Sequence, residues 1–205
     1  MLSKILQFFI FPRLYRQTLN NMRQEFERSG RFNEFKIEPL VNMKPFCKFD
    51  CGISEYNDYL LKGALRSMGD HIAFTWILTE RSTDIIAAYM SLIMDAIKLS
   101  FTEKELHGLN YPFKTIPAMK IAKLAVDSGF SKKFKGIGSF MINSAARLAW
   151  ACNSAYCAAR FLTVDADIEH DEGVLAFYRK NGFIQNAEFY NKNRKTISMR
   201  KDIFQ

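Results

Sequence analysis

Ala118-Met-Lys-Ile-Ala-Lys-Leu-Ala-Val-Asp127, Ser128-Gly-Phe-Ser-Lys-Lys-Phe-Lys-Gly-Ile-Gly138 and Ser139-Phe-Met-Ile-Asn-Ser-Ala-Ala-Arg-Leu-Ala-Trp150 follow one another without a break. Met119 to Val126 is apolar with interspersed lysines, which suits a strand. From Met141 onward apolar residues recur at 141, 142, 145, 148, 149 and 152, the spacing of a helix with one buried face. Between the two lie Lys132, Lys133, Lys135, Gly136 and Gly138. Glycines at a strand-to-helix junction let backbone N–H groups turn toward a ligand, and a helix N-terminus attracts anions. A G-x-G pair also marks plain tight turns. The expected unit is strand, phosphate-cradling loop, helix.

Two other stretches bear on it. Phe177-Tyr178-Arg179-Lys180-Asn181-Gly182-Phe183 ends an amphipathic helix at Asn181-Gly182, a usual helix stop. Near the start, Phe49-Asp50-Cys51-Gly52 precedes Glu55-Tyr56-Asn57-Asp58-Tyr59-Leu60 and Ala64. Taken together, the loop from Lys133 through Gly136 to Gly138 and the Tyr-x-x-x-Gly-Phe ending resemble the signature of the GNAT N-acyltransferase superfamily. The Phe-Asp-Cys-Gly opening and Leu-Ala-Val-Asp at 124–127 resemble one branch of it. That branch contains toxins that acetylate the amino acid on charged tRNA, usually with an antitoxin partner. The resemblance spans about residues 36–200. Lysine at 133, where the family has arginine or glutamine, is a departure; so is Asp171, where many members place an asparagine on the pantetheine arm.

The resemblance implies an α/β (α+β) fold, a mixed central sheet of six to seven strands with about four flanking helices. It implies acetyl-CoA as cosubstrate, held by Leu124, Ala125, Val126, Lys133, Phe134, Lys135, Gly136, Ile137, Gly138, Ser139 and Asp171. Tyr178 would protonate the departing thiolate. Phenol suits that task because it is neutral at pH 7 yet weakly acidic. An ordinary packing role for Tyr178 is the competing reading.

Composition agrees with a single domain. The chain has 205 residues, 48% of them apolar and 24% charged, proportions of a globular protein with one core. The +8 charge is uneven: residues 1–113 balance at +1 and residues 114–205 at +7. The half with the glycine loop is therefore basic, which fits an anionic cosubstrate and leaves room for an anionic macromolecule. Cysteines 47, 51, 152 and 157 lack metal-site spacing, and His71, His107 and His170 are scattered. No metal is expected, and free thiols point to the cytoplasm.

Residues 1–33 are expected to form a helical extension ahead of a domain at 34–205. The run Leu2 to Phe11, broken by Pro12, is far short of the roughly 20 residues that cross a bilayer. The remaining elements are a strand at Phe35–Val41, a helix N-capped by Ser54, a hairpin of Ile72–Leu78 and Ile85–Met94, and a short helix at Thr102–His107. A strand at Phe161–Ala166, a helix at Glu172–Lys180 and closing strands from Phe183 and at Thr196–Arg200 complete it.

The activity expected is direct attack of a primary amine on the acetyl thioester in a ternary complex. A lysine amine, pKa about 10.4, needs roughly 4 kcal/mol to lose its proton near pH 7.5, whereas an α-amine at about 7.7 needs almost none. Asp127, Asp165 and Asp167 sit at strand ends as candidate bases, none distinguished by sequence. The α-amine of charged tRNA is therefore one acceptor to test. A non-catalytic module that binds nucleic acid or protein is the rival. An antitoxin partner and a homodimer remain expectations of the resemblance.

Overall fold

A computed structural model describes residues 32–43, 48–171, 173–186 and 195–205, except the side chains of 154 and 155. The extension expected at 1–33 lies outside it apart from its last two residues. Phe32 is buried against Phe35 and Phe140, in the same cluster of buried side chains as the sheet.

Seven strands form one sheet in the order β1-β2-β3-β4-β5-β7-β6. They are β1 (Phe35–Pro39), β2 (Phe74–Glu80), β3 (Ile86–Lys98), β4 (Thr115–Val126), β5 (Phe161–Asp167), β6 (Ile184–Gln185) and β7 (Thr196–Asp202). All neighbours are antiparallel except β4 and β5. The expected hairpin is β2–β3, shifted by a few residues and continued to Lys98. Among the described residues, the strand expected from Phe183 is represented by the two residues of β6.

The helices are α1 (Ser54–Asp58), α2 (Ala64–Gly69), α3 (Phe101–Leu106), α4 (Ser128–Lys133), α5 (Ile137–Ala155) and α6 (Val174–Lys180). A π-helical turn, Tyr59–Gly63, joins α1 to α2. Ser54 is not the N-cap. Ile53 takes that position, and its side chain has nothing to donate or accept. A true capping box starts α3, where the Ser100 hydroxyl accepts from the Glu103 amide and the Glu103 carboxylate accepts from Ser100. The predicted spacing of α5 is observed: Met141, Ile142, Ala145 and Ala149 have no exposed surface.

Helix α5 and Tyr178 of α6 cover one face of the sheet, packed on Leu78, Met90, Leu92 and Ile121. Leu60 and Ala64 cover the other, with Phe49, Ile77, Tyr89 and Ala125. Each fully buried large side chain contributes about 1.5–3 kcal/mol relative to exposure.

One irregularity sets up the site. Leu92 pairs with Ile121 and Ser91 with Lys123, so Ala122 is an extra residue in β4. A bulge of this kind reverses which face later residues take. Met119 and Ile121 lie in the α5-side core, and beyond the bulge Leu124 and Val126 pack there too. Ala125 turns to the α1 side, and Lys123 lies over the Tyr56 ring of α1. Pairing of β4 with β5 also stops here. It runs only from Ala118–Phe161 to Ile121–Val164, while β5 continues on β7 to Asp167. The sheet opens in its middle.

Candidate active site

Two adjoining clefts, of about 190 and 270 Å³, fill that opening. Leu124, Ala125, Val126, Asp171, Val174 and Tyr178 line both. The larger is closed by the start of α5. Phe134, Lys135, Gly136, Ile137 and Gly138 form its wall. Lys133 and Ser139 do not line either cleft. The Lys133 ammonium instead sits 4.7 Å from the Phe134 ring centre, outside the position expected of it.

The loop expected between strand and helix is shorter than the sequence suggests, because Ser128–Lys133 is the helix α4. Only Phe134, Lys135 and Gly136 remain as linker. Gly136 is left-handed (φ 98°, ψ 4°) as the N-cap of α5, a conformation that favours glycine. The first amides of α5 have no acceptor within the helix, and they border the larger cleft. Gly138 has a different task. A Cβ there would come within 3.0 Å of Phe177 Cζ, so this glycine lets α5 approach α6.

Tyr178 is 6% exposed, with its ring against Phe177 and Phe183. Burial, and then the neighbouring Tyr56, push its pKa well above the ordinary tyrosine value. Its hydroxyl makes no hydrogen bond among the described residues, while the side chain borders both clefts. Here is a phenol that keeps its proton and faces open space. Asp171 borders the same space, but its Oδ1 accepts from the Gly173 amide at 2.7 Å, which fixes the turn into α6.

The three candidate carboxylates separate clearly. Asp127 caps α4, accepting from Gly129 and Phe130 through Oδ1 and from the Asp50 amide through Oδ2; it lines neither cleft. Asp165 is paired with Lys120. Asp167 stands at the mouth of the smaller cleft. Its Oδ2 lies 2.8 Å from His170 Nδ1 and 3.2 Å from the Tyr56 hydroxyl. Burial alone would raise its pKa, but hydrogen bonds from His170, the Glu169 amide and Tyr56 outweigh it and hold the carboxyl below its usual value.

Phe49-Asp50-Cys51-Gly52 builds one wall. Asp50 Oδ1 accepts from Gly52 N and Asn57 Nδ2, both at 2.8 Å, and Gly52 is left-handed at φ 87°. This turn places Cys51 and Ile53 on the smaller cleft. Burial raises the Cys51 thiol above its ordinary value, the wrong direction for a nucleophile. Lys123, lifted across by the bulge, pairs with Glu55 at 2.7 Å.

Tyr56 and His170 were not singled out by sequence reasoning as site residues. The signal for His170 was positional, since it follows a strand end at the opening of a sheet. Asp167, Glu169 and His170 bring three donor atoms within 4.8 Å of one another. Asp167 and His170 spend their facing atoms on each other, so the trio is read as a hydrogen-bonded cluster.

No family model and no curated protein matches this chain. Solved structures do. A crystal structure of AtaTR bound with acetyl-CoA superposes at TM-score 0.64 and 22% identity over 82% of this chain and 95% of that one. AtaT complexed with acetyl-methionyl-tRNAfMet gives 0.66 and 22% over 80% and 93%. A tyrosine-to-phenylalanine mutant of KacT gives 0.66 and 20% over 82% and 95%. A further similar structure holds the AtaT toxin with acetyl-CoA and the C-terminus of the antitoxin AtaR. This is the GNAT fold. At such identities the likeness establishes architecture. Within the GNAT fold the expected mixed sheet is present with its full seven strands, and the sheet opens between β4 and β5. Among the described residues no helix is long and apolar enough to cross a membrane.

Proposed function

We propose that this protein transfers the acetyl group of acetyl-CoA to a primary amine, by direct attack within a ternary complex. The observation carrying this reading is the opening between β4 and β5, bordered by the amide-bearing start of α5 and by the Tyr178 phenol. The amides beginning with Gly136 suit the pyrophosphate, with exposed Lys132 and Lys135 adding positive charge. Backbone N–H groups of Leu124–Val126 no longer pair with β5, so those directed at the opening can polarise a thioester carbonyl. Tyr178 then donates its proton to the departing thiolate. Alignment of amine and thioester supplies much of the remaining acceleration.

For the acceptor we favour the α-amine of an aminoacyl-tRNA. Support comes from the AtaT complex with acetyl-methionyl-tRNAfMet and from the +7 balance of residues 114–205. An antitoxin-type protein partner belongs to the same reading, as does a division of the chain into an extension at 1–33 and an acyltransferase domain at 34–205. The test is incubation with labelled acetyl-CoA and bulk aminoacylated tRNA. Label should enter RNA, and the rate should fall steeply between low and moderate salt, because phosphate contacts release counterions. Label entering only peptide or small-amine fractions would sink the tRNA acceptor and leave the acetyltransferase standing.

A further inference from the structure

We infer that His170, oriented by Asp167, is the general base that takes the proton from the attacking amine. The inference rests on the acetyl-transfer reading above and adds the proton acceptor that reading lacks. An α-amine with pKa about 7.7 is mostly protonated at pH 7, and an amine that has attacked a carbonyl must still lose a proton. A site with only a phenol donor is therefore half equipped.

His170 meets the geometric requirements. Its ring lines the smaller cleft together with Leu124, Val126 and Tyr178. Nδ1 lies 2.8 Å from Asp167 Oδ2, and the side chain is 34% exposed. A carboxylate can only accept at this pH, so the ring proton belongs on Nδ1 and the lone pair on Nε2. No described residue bonds to Nε2. Asp167 is itself held in place, with Oδ1 accepting from the Glu169 amide at 3.1 Å and Oδ2 from the Tyr56 hydroxyl. Tyr56 is anchored in turn, its carbonyl accepting from the Tyr89 hydroxyl at 2.8 Å, and its ring stands edge-on to His170. The result is an oriented imidazole whose basic nitrogen has no partner among the described residues, on a residue that lines the smaller cleft. Base and orienting carboxylate within hydrogen-bond reach are the arrangement such proton transfer needs.

The step balances. The amine nitrogen forms a bond to the acetyl carbon and gives one proton to His170 Nε2. The C–S bond breaks, and the thiolate takes one proton from Tyr178. The imidazolium proton returns to the tyrosinate through solvent, restoring both groups. Around His170 the charged and titratable groups are Glu55 and Tyr56 from α1, Cys51 ahead of it, and Lys123 from β4. Asp165 and Asp167 come from β5, Glu169 and Asp171 from the following turn, Tyr178 from α6, and Lys195 paired with Glu169 at 2.8 Å.

The experiment uses the full chain with acetyl-CoA and bulk aminoacylated tRNA, following acetyl transfer from pH 6 to 8. His170→Gln should lower kcat about a hundredfold at pH 7, with the gap narrowing toward pH 8 as the amine deprotonates unaided. Acetyl-CoA affinity measured by calorimetry should stay within twofold of wild type. Added imidazole should restore part of the rate to His170→Ala, which a merely structural side chain would not allow. Asp167→Asn should also lower kcat, since a side-chain amide no longer fixes the tautomer. A His170→Gln enzyme that matches wild type across this range, while Tyr178→Phe is impaired, overturns the base and keeps the acetyltransferase. A wild type that transfers no acetyl group to the tRNA pool overturns the tRNA reading alone. The same His170→Gln comparison is then made on the peptide or small-amine fraction that takes the label, where equal rates overturn the base.

Discussion

Gly136 and Gly138 differ by two positions and by the whole reason for being glycine. At Gly136 the added Cβ of a larger residue would meet only Phe32 Cζ at 3.8 Å, an ordinary contact. The cost lies in the positive φ, which a β-branched residue tolerates poorly. Gly136→Val should therefore move the first amides of α5 and weaken acetyl-CoA binding at least tenfold, about 1.4 kcal/mol, as calorimetry on the folded protein would show. Gly138→Val collides with Phe177 instead and should lower thermal stability as well as affinity. Tyr178→Phe keeps the packing on Phe177 and Phe183, so turnover should drop while acetyl-CoA affinity is unchanged. Asp167 provides a pH test. Its folded carboxyl is depressed below the ordinary 3.8, so its contribution is present above that pH and lost as pH falls further. Asp167→Asn should cost about 1 kcal/mol at neutral pH and progressively less as pH falls below 3.8, by denaturant titration across that range. That Tyr178 and the two glycines would lie together was legible because the signature fixes their spacing, and all three line the larger cleft. His170 was not, since its partner Asp167 becomes meaningful only once the sheet is seen to open beside it.

The strands and helices followed local pattern where a single face is buried, as in α5. Pattern failed at β4. No residue type announces that Ala122 is supernumerary, yet that one residue sends Leu124 and Val126 to the α5 side and Lys123 to Glu55 and Tyr56. Deleting Ala122 should restore plain alternation, drive Lys123 toward the core face and prevent soluble folding, which expression and circular dichroism would report. Helix α4 was also missed, being too short for a period to show. Asp127 holds it by accepting three backbone amides, so the residue weighed in the sequence as a base is a cap. Asp127→Ala should cost about 1–2 kcal/mol in chemical denaturation and leave the pH profile of transfer unshifted.

Across the described residues, the cleft and a buried polar cluster lie toward opposite ends of the central strands. The cleft sits at the ends of β4 and β5 that carry Val126 and Asp167. Toward the other end, in β7 opposite Thr163 of β5, Arg200 is buried, its Nη1 donating to Glu103 at 2.7 Å and to Asn186 at 2.8 Å. Its Nε donates to His107 Nε2 at 3.4 Å, which leaves His107 Nδ1 to donate to Asp202 at 3.0 Å. These residues come from α3 and the residue that ends it, from β7 and from the turn after β6; the separations of Glu103 and His107 from β7 approach 100 residues, so no local pattern announces their meeting. Arg200→Met should destabilise by about 3–5 kcal/mol, the effect of breaking a buried ion pair. Adding Glu103→Gln should recover part of it.

The four-rung pairing of β4 with β5 also makes the protein a reporter of its own occupancy. Past Ile121, main-chain amides of β4 that point away from β3 have no strand to bond, so in heavy water they should trade hydrogen for deuterium quickly. Their neighbours on the β3 side should remain protected. A thioester seated against those amides would slow the exchange in a handful of peptide groups around residues 122–126 and almost nowhere else in the sheet. Peptide-resolved mass measurement could thus follow binding without any acceptor, label or turnover.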